Sequence, residues 1–435
     1  MEARHTYCYN RIVTMLDIKF IRENPDLITE ATRKKHVAFA VTELLEIDKQ
    51  RLLLQVESET LRAEQNKASE ELGRAHADTV VREKLLGRMK GVKEQLQSKE
   101  EELKMVMVHW QQLMLQVPNV PDVSVPEGDD DRGNQEVKSW GEQTTFPFSP
   151  KDHIELMQQH DMLDLERGIK ISGFRGYVLK NDGVRLSFAI WQCALDFFTA
   201  KGMSPMLVPS LVKRENLLGT GFLPQSEEDL YKTQDGDYLS GTAEVATMGY
   251  YRDEVVEKKD LPLRTLSFSP CFRREAGSHG RDIKGLIRVH EFYKLEQVVL
   301  CEANHEESVR QHEWLLRNSE EFIELLGIPY HTVVNCGGDL GLGQVKKYDI
   351  ELWVPLEQKY REIGSASYFH DFQTRRLNIR YRDDDGKLKY VHSLNNTAIP
   401  TPRILVSLVG NYQQADGMIA IPEALQRYFG KAKIG

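Results

Sequence analysis

The chain has 435 residues, 40% of them hydrophobic and 28% charged, with a formal net charge of −9. That length predicts two or more domains, and the hydrophobic share excludes a disordered chain. The acidic balance excludes a protein coated in basic surface, but leaves room for a local basic patch acting within a Debye length of about 8–10 Å.

Residues 1–14, "MEARHTYCYNRIVT", carry Arg4 and Arg11 but no sustained amphipathic pattern and no apolar signal core. They read as an extension of unknown role, with a transit peptide as the alternative. No apolar run approaches the roughly 20 residues of a membrane span. Cys8, Cys193, Cys271, Cys301 and Cys336 form no CxxC pair. They predict reduced thiols in a cytoplasmic protein, without a disulfide framework or a zinc ribbon.

Residues 15–117 read as a helical domain. From Val41 to Gln116 there is no proline, and Ile47, Leu54, Leu61 and Ala68 recur every seven residues. After a break around Ala75–Thr79, Leu85, Met89, Val92, Leu96, Leu103 and Val106 follow at steps of four and three, interrupted by Lys99. That is the a/d pattern of a coiled coil. Two such helices predict an antiparallel hairpin, with roughly 30 residues and about 45 Å per arm. Near its tip Arg82, Lys84, Arg88, Lys90 and Lys93 face only Glu83. Such a run is either a solvated helix face or a contact for a large polyanion.

Residues 118–148 are rich in proline and acid and read as a linker. From 149 to 435 short strands and helices mix, which predicts an α+β domain on an antiparallel sheet. Helices are expected over "DGVRLSFAIWQCALDFFTAKG", over "ESVRQHEWLLRNSEEFIELLG", and last near Ile404–Val409. "GGDLGLGQV" (Gly337–Val345) clusters glycines without the spacing of a dinucleotide loop. His290, His370 and His392 lack metal-ligand spacing and read as hydrogen-bonded sheet or surface residues.

One stretch concentrates chemistry: "CFRREAGSHGRDIKGLIRVHEFYKLE", Cys271–Glu296. Strand alternation predicts that Arg273 and Glu275 share a face, and that Arg288, Phe292 and Glu296 share one on the partner strand. Cross-strand ion pairs would explain the charges but not Phe292 among them. A nucleotide explains the set: arginine forks a phosphate, a carboxylate accepts from an exocyclic amine, and a ring stacks on a base. Arg403, beside Pro402 at a predicted helix start, places a cation at the positive end of the helix dipole. That costs about 0.3–1 kcal/mol, which an anionic ligand would offset.

This stretch resembles motif 2 of class II aminoacyl-tRNA synthetases, in the form found in seryl-tRNA synthetases. "MLDIKFIRENPDL", the heptad arm, "GTGFLP", "GTAE", "NNTAIPTPRILVSLVGNYQ" and "NYQQADG" extend the likeness over nearly the whole chain. The resemblance implies an antiparallel coiled-coil hairpin joined to a class II catalytic domain on an antiparallel sheet with flanking helices. It implies L-serine, ATP, Mg²⁺ and tRNA-Ser as partners, and a homodimer whose interface includes "GMSPMLVPS" (Gly202–Ser210). Arg273 would hold the α-phosphate, Glu275 the adenine amine, Phe292 the base, and Arg403 the γ-phosphate. Arg274, Arg288, Val289, Ile363 and Gly364 complete the implied ATP site. Thr242, Ala243, Glu244, Arg273, Glu296, Asn395 and Thr397 would hold serine. Glu362 and Ser365 would hold Mg²⁺ on ATP. Arg273, Arg403 and Glu362 would carry catalysis, and the five basic residues of the arm would meet the long variable arm of tRNA-Ser.

The sequence departs from the family at Gly364, Ala366, Tyr368, Pro400, Pro402 and Gly410. Gly410 replaces a helix-favouring glutamate at a cost of about 0.5–1 kcal/mol. Two further readings stay open: a synthetase-like binding protein without activity, and an amino-acid activator that charges a carrier protein. tRNA-Sec as a second acceptor also stays open.

Overall fold

The structure, a computed structural model, describes residues 16–74, 79–277, 280, 282 and 284–435. The extension 1–14 and positions 75–78 of the predicted break lie outside them. The chain divides into two compact units, one of residues up to Arg33 with Val37–Pro118, the other of Lys34–His36 with Asn119–Gly435.

Two short helices, α1 (Ile18–Glu23) and α2 (Pro25–Lys34), precede the long ones. Asp17 caps α1 by accepting from the Lys19 N–H at 2.9 Å. The long helices α3 (Val41–Arg74) and α4 (Thr79–Met114) have 34 and 36 residues, longer than predicted. Every member of the predicted seven-residue series is buried or half-buried, as an a/d seam requires. The apolar series passes over Asp48 of α3, which is buried between Arg22 of α1 at 2.6 Å and Arg51 at 2.9 Å. Lys99, which interrupts the apolar series, reaches Glu57 at 3.2 Å, and Arg88 reaches Glu64 at 2.5 Å. These cross-helix pairs run in opposite chain directions, as an antiparallel hairpin demands. They also correct the expectation that Glu83 alone opposes the basic run: Glu64 of the other arm does so for Arg88.

The second unit is built on an eight-stranded sheet. Its strands are β1 (Gln135–Trp140), β2 (Ser204–Leu207), β3 (Leu263–Phe272), β4 (Glu291–Cys301), β5 (Tyr330–Val334), β6 (Lys346–Val354), β7 (Lys359–Tyr368) and β8 (His392–Thr401). Their spatial order is β1-β5-β6-β7-β8-β4-β3-β2. All pairings are antiparallel except β2 with β3. Within 118–148, read from the sequence as a linker, Gln135–Trp140 pairs with Tyr330–Val334 as an edge strand.

Alternation along β4 separates the two faces. Leu295 and Val299 join the main core with Leu186, Ile190, Leu315, Phe322 and Leu405. Those five sit on helices α5 (Asn181–Ala200), α7 (His305–Leu325) and α9 (Arg403–Asn411). The buried amide of Gln297 is satisfied by Ser319 at 2.9 Å and the Leu315 carbonyl at 3.2 Å. On the opposite face Val298 and Leu300 pack with Met248 of α6 (Ala243–Tyr250) and Leu377 of α8 (Phe372–Leu377). Further along that face the apolar cover stops, and Phe292, Lys294 and Glu296 line an open cavity instead. Arg403–Asn411 is not the last helix, because Glu423–Phe429 follows it.

Candidate active site

The cavity measures about 390 Å³ and gathers residues from across the unit. Of the predicted ATP set, Arg273, Glu275, Val289, Phe292, Glu362, Ile363, Gly364, Ser365 and Arg403 line it. Of the predicted serine set, Thr242, Glu244, Glu296, Asn395 and Thr397 line the same cavity. Ala243 is buried beside it in the first turn of α6. Arg274 is exposed outside it, its N–H bonded to the Asp229 carbonyl at 2.9 Å. Arg288 is not among the lining residues, but it donates to Glu275, which is, at 2.6 Å.

The strand-parity argument holds for Phe292 and Glu296, which sit on β4, but not for Arg273, Glu275 and Arg288. Those three lie beyond the strand ends, and Glu275 adopts a left-handed conformation with φ of 56°. Arg273 continues the ladder through its N–H to the His290 carbonyl at 2.9 Å. Its guanidinium lies over Phe292, 5.3 Å from the ring centroid. Across from Phe292, Lys294 and Glu296 on the neighbouring strand stand the small residues Cys271, Ser269 and Ser267.

Glu296 pairs with Lys294. Burial raises the Glu296 carboxyl above its usual range, and Lys294 and Arg273 work against that rise. Thr242 caps α6, its Oγ1 accepting from the Glu244 N–H at 3.3 Å, so the T-x-E spacing delivers Glu244 in the first helical turn. Burial pushes Glu244 up to about 7, against a hydrogen bond from Gln373 Nε2 at 2.6 Å. Gln373 also donates to the Thr220 carbonyl at 3.1 Å and accepts from Ser393 at 2.8 Å.

Glu362 and Ser365 are three apart, a spacing that alternation alone sends to opposite faces. The β6–β7 register shifts between Ile350 and Glu351, so that Gly364 faces Ile350 and Glu362 faces Glu351. That one-residue bulge restores both to the cavity. Burial opposes ionisation of Glu362, but Arg403, Lys347 and Arg273 outweigh it and hold its pKa below the usual range. Arg403 is the first residue of α9, as the sequence predicts. Its Nε donates to the Ile287 carbonyl at 2.8 Å and its Nη1 to the Glu362 carbonyl at 3.1 Å. Burial lowers the Arg403 pKa, Glu362 works against that, and Arg273 and Arg288 add to it. Arg273 and Arg403 thus bring two guanidinium groups to one cavity, an arrangement suited to a polyanion.

Gly364, a departure from the family pattern, has a packing reason: a Cβ there would lie 2.6 Å from the Thr397 Cβ. Pro400 is tolerated because β8 pairs with β7 only over Leu394–Asn396, leaving one edge free near the cavity. Tyr368 is buried, its hydroxyl donating to Asp122 at 2.9 Å.

Sequence reasoning missed Lys294, Gln373 and the loop Gly341–Gln344, although Lys294 and the loop line the cavity. Lys294 was available from parity, two residues before Glu296. The loop was weighed only as a dinucleotide motif, and Gln373 carries no local signal. His370 and His392, far apart in the chain, have rings 4.9 Å apart, with His305 at 3.2 Å from His370. Among the described residues no His, Cys, Asp and Glu cluster could hold a metal ion by itself. Cys193, Cys271, Cys301 and Cys336 are free and buried.

A mostly antiparallel sheet that brings the motif 2 arginine, the motif 3 arginine and several glutamates to one cavity defines a class II tRNA synthetase. In agreement, residues 230–412 match the tRNA synthetase class II core domain (G, H, P, S and T). Residues 15–121 match the seryl-tRNA synthetase N-terminal domain. The serine–tRNA ligase of Deinococcus radiodurans is 44% identical over 97% of this chain and 99% of its own. The crystal structure of seryl-tRNA synthetase from Pyrococcus horikoshii complexed with ATP superposes with a TM-score of 0.89. It is 37% identical and covers 97% of this chain and 99% of that one. The cytoplasmic enzyme of Naegleria fowleri, solved in complex with AMP, gives 0.85 at 29% identity, covering 97% and 98%. The chain belongs to the seryl-tRNA synthetase family.

Proposed function

We propose that the chain activates L-serine with ATP and then transfers serine to the 3′ end of tRNA-Ser, with tRNA-Sec open as a second acceptor. The observation that carries this reading is the single cavity shared by Arg273, Phe292, Glu296, Glu362, Thr397 and Arg403. A serine carboxylate oxygen attacks the α-phosphorus of ATP, and the bond to the pyrophosphate oxygen breaks. A ribose hydroxyl of the tRNA then attacks the acyl carbon and releases AMP. No protein nucleophile is needed, so the work falls to charge and orientation. Arg273 offsets charge at the α-phosphate and Arg403 at the γ-phosphate, while Phe292 supports adenine and Glu275 accepts from its amine. Glu244 and Glu296 attract the serine ammonium. Thr397, Glu296 and Asn395 pair with the hydroxyl, and alanine would leave those buried groups unpaired.

Magnesium fits this site only together with phosphates. Two oxygen donors, Glu362 and Ser365, line the cavity, and no three-carboxylate cage is available among the described residues. Two protein oxygens suit a hard cation held chiefly by ATP. When bound it neutralises phosphate charge and orients the chain of phosphates.

The unit carrying α3 and α4 serves as the tRNA-binding arm, over residues 15–117, with the catalytic domain over 149–435. Arg82, Lys84, Arg88, Lys90 and Lys93 are exposed and contact phosphates of the tRNA variable arm. A second copy of the chain covers the edge strand β2, where Leu207 is 82% exposed. No helix among the described residues is long and apolar enough to cross a membrane, and the reading assigns the cytoplasm.

Charging of tRNA-Ser with serine tests the function, and a variant with Arg82, Lys84, Lys90 and Lys93 neutralised tests the arm. The variant is expected to bind tRNA-Ser about tenfold more weakly and with a flatter salt dependence, while serine-dependent pyrophosphate exchange persists. Arg88 is left unaltered because its pair with Glu64 also joins the two long helices, and its loss would mix tRNA binding with hairpin stability. Unchanged tRNA affinity contradicts the arm assignment, and absence of charging by the unaltered protein contradicts the function.

A further inference from the structure

One stretch of the cavity wall, Gly341–Gln344, has no part in the chemistry above. Each of its four backbone carbonyls accepts a hydrogen bond from one of two residues, Lys35 or Asn119, and that of Gly341 also from the Gln344 N–H at 3.1 Å. Lys35 Nζ donates to the carbonyls of Gly341 at 3.2 Å, Leu342 at 2.9 Å and Gln344 at 2.5 Å. The Asn119 N–H donates to Leu342 at 2.9 Å, and Asn119 Nδ2 to Gly343 at 3.0 Å and to the Phe369 carbonyl at 2.8 Å. Both residues are buried. An ammonium has three N–H donors, and three carbonyls receive them. Burying it costs free energy that packing alone does not require, since an apolar side chain of that length would fill the space.

The loop's other contacts lead toward the predicted serine groups. Gln344 Nε2 donates to Ser367 Oγ at 2.8 Å, and Ser367 faces Asn395 across the β7–β8 pairing. Gly343 presses so closely on Phe372 that a Cβ would stand 2.4 Å from its ring. Phe372 opens α8, whose next residue, Gln373, holds Glu244.

We propose that Lys35 and Asn119 are positioning residues that fix the serine end of the cavity by pinning the loop Gly341–Gln344. In the chain they bracket residues 36–118, which include both long helices. The inference rests on the reading of this cavity as a serine site.

The test is serine-dependent pyrophosphate exchange by full-length Lys35→Met and Asn119→Ala, with Thr397→Val and Ile419→Ala as references. Both positioning variants are expected to raise the KM for serine about tenfold, with the KM for ATP nearly unchanged. Ile419 is buried in the main core and lines no part of the cavity. Ile419→Ala is expected to lower the melting temperature and leave the serine KM alone. If it raises the serine KM equally, the effect is lost stability and the inference is overturned. If Thr397→Val raises the serine KM but neither positioning variant does, the inference fails while the reading of the cavity stands. If Thr397→Val leaves it unchanged, the reading fails and takes the inference with it. Should Lys35→Met not fold, Asn119→Ala decides alone.

Discussion

Glu244 sits buried with Glu296 repelling it and with Gln373, Lys294 and Asn395 favouring its charge; burial prevails and sets it near 7. An unfolded glutamate titrates near 4.3. With the folded value raised, the stability contribution is full below about 4.3 and is lost as pH rises through about 7. Glu244→Gln is therefore expected to melt above the unaltered protein near pH 8, a gain that vanishes in acid and that thermal melts across pH would detect. On the proposed reading catalysis runs the other way, because a serine ammonium bound beside Glu244 would favour the ionised form. In the unaltered protein kcat/KM for serine should fall as pH drops through about 7, and Glu244→Gln should lose that dependence and start lower. A variant unchanged in both respects contradicts the role given to Glu244. Membership of the cavity was legible where a motif fixed it, as with Arg273, Glu296 and Arg403. Gln373 and Lys35 were not, because each acts through a contact more than a hundred residues away in the chain.

At the scale of elements, the helical period and the strand period explain most of what the sequence showed. The heptad series located α3 and α4, but the buried Asp48 escaped because a series of apolar positions cannot reveal a buried ion pair. Parity correctly grouped Phe292 with Glu296 on β4. It failed for Arg273, Glu275 and Arg288, which lie past the strand ends, and it cannot foresee a bulge such as the one that turns Glu362 and Ser365 to one side. Gly410 in α9 meets no atom closer than Pro355 Cδ at 3.5 Å, so a methyl group fits there. Gly410→Ala is expected to stabilise the protein by about 0.5–1 kcal/mol, read from denaturant midpoints. A destabilised variant would show that the glycine answers a constraint other than helix propensity.

For the whole molecule, the change of texture after the heptads announced two structural units. The proline-rich stretch misled, since low periodicity is shared by linkers and by edge strands that take their order from a partner such as Tyr330–Val334. What unites the second unit is the convergence of cations and carboxylates from loops, strands and a helix start upon one cavity. The direct measurement of that claim is amino-acid-dependent exchange of pyrophosphate into ATP, comparing serine, threonine and alanine in the unaltered protein and in Arg403→Met. Serine is expected to exceed alanine by about 10⁴-fold in kcat/KM, threonine to be discriminated as well, and Arg403→Met to suppress the serine reaction. Exchange that proceeds equally with alanine, or that survives loss of the Arg403 guanidinium at full rate, would contradict the account.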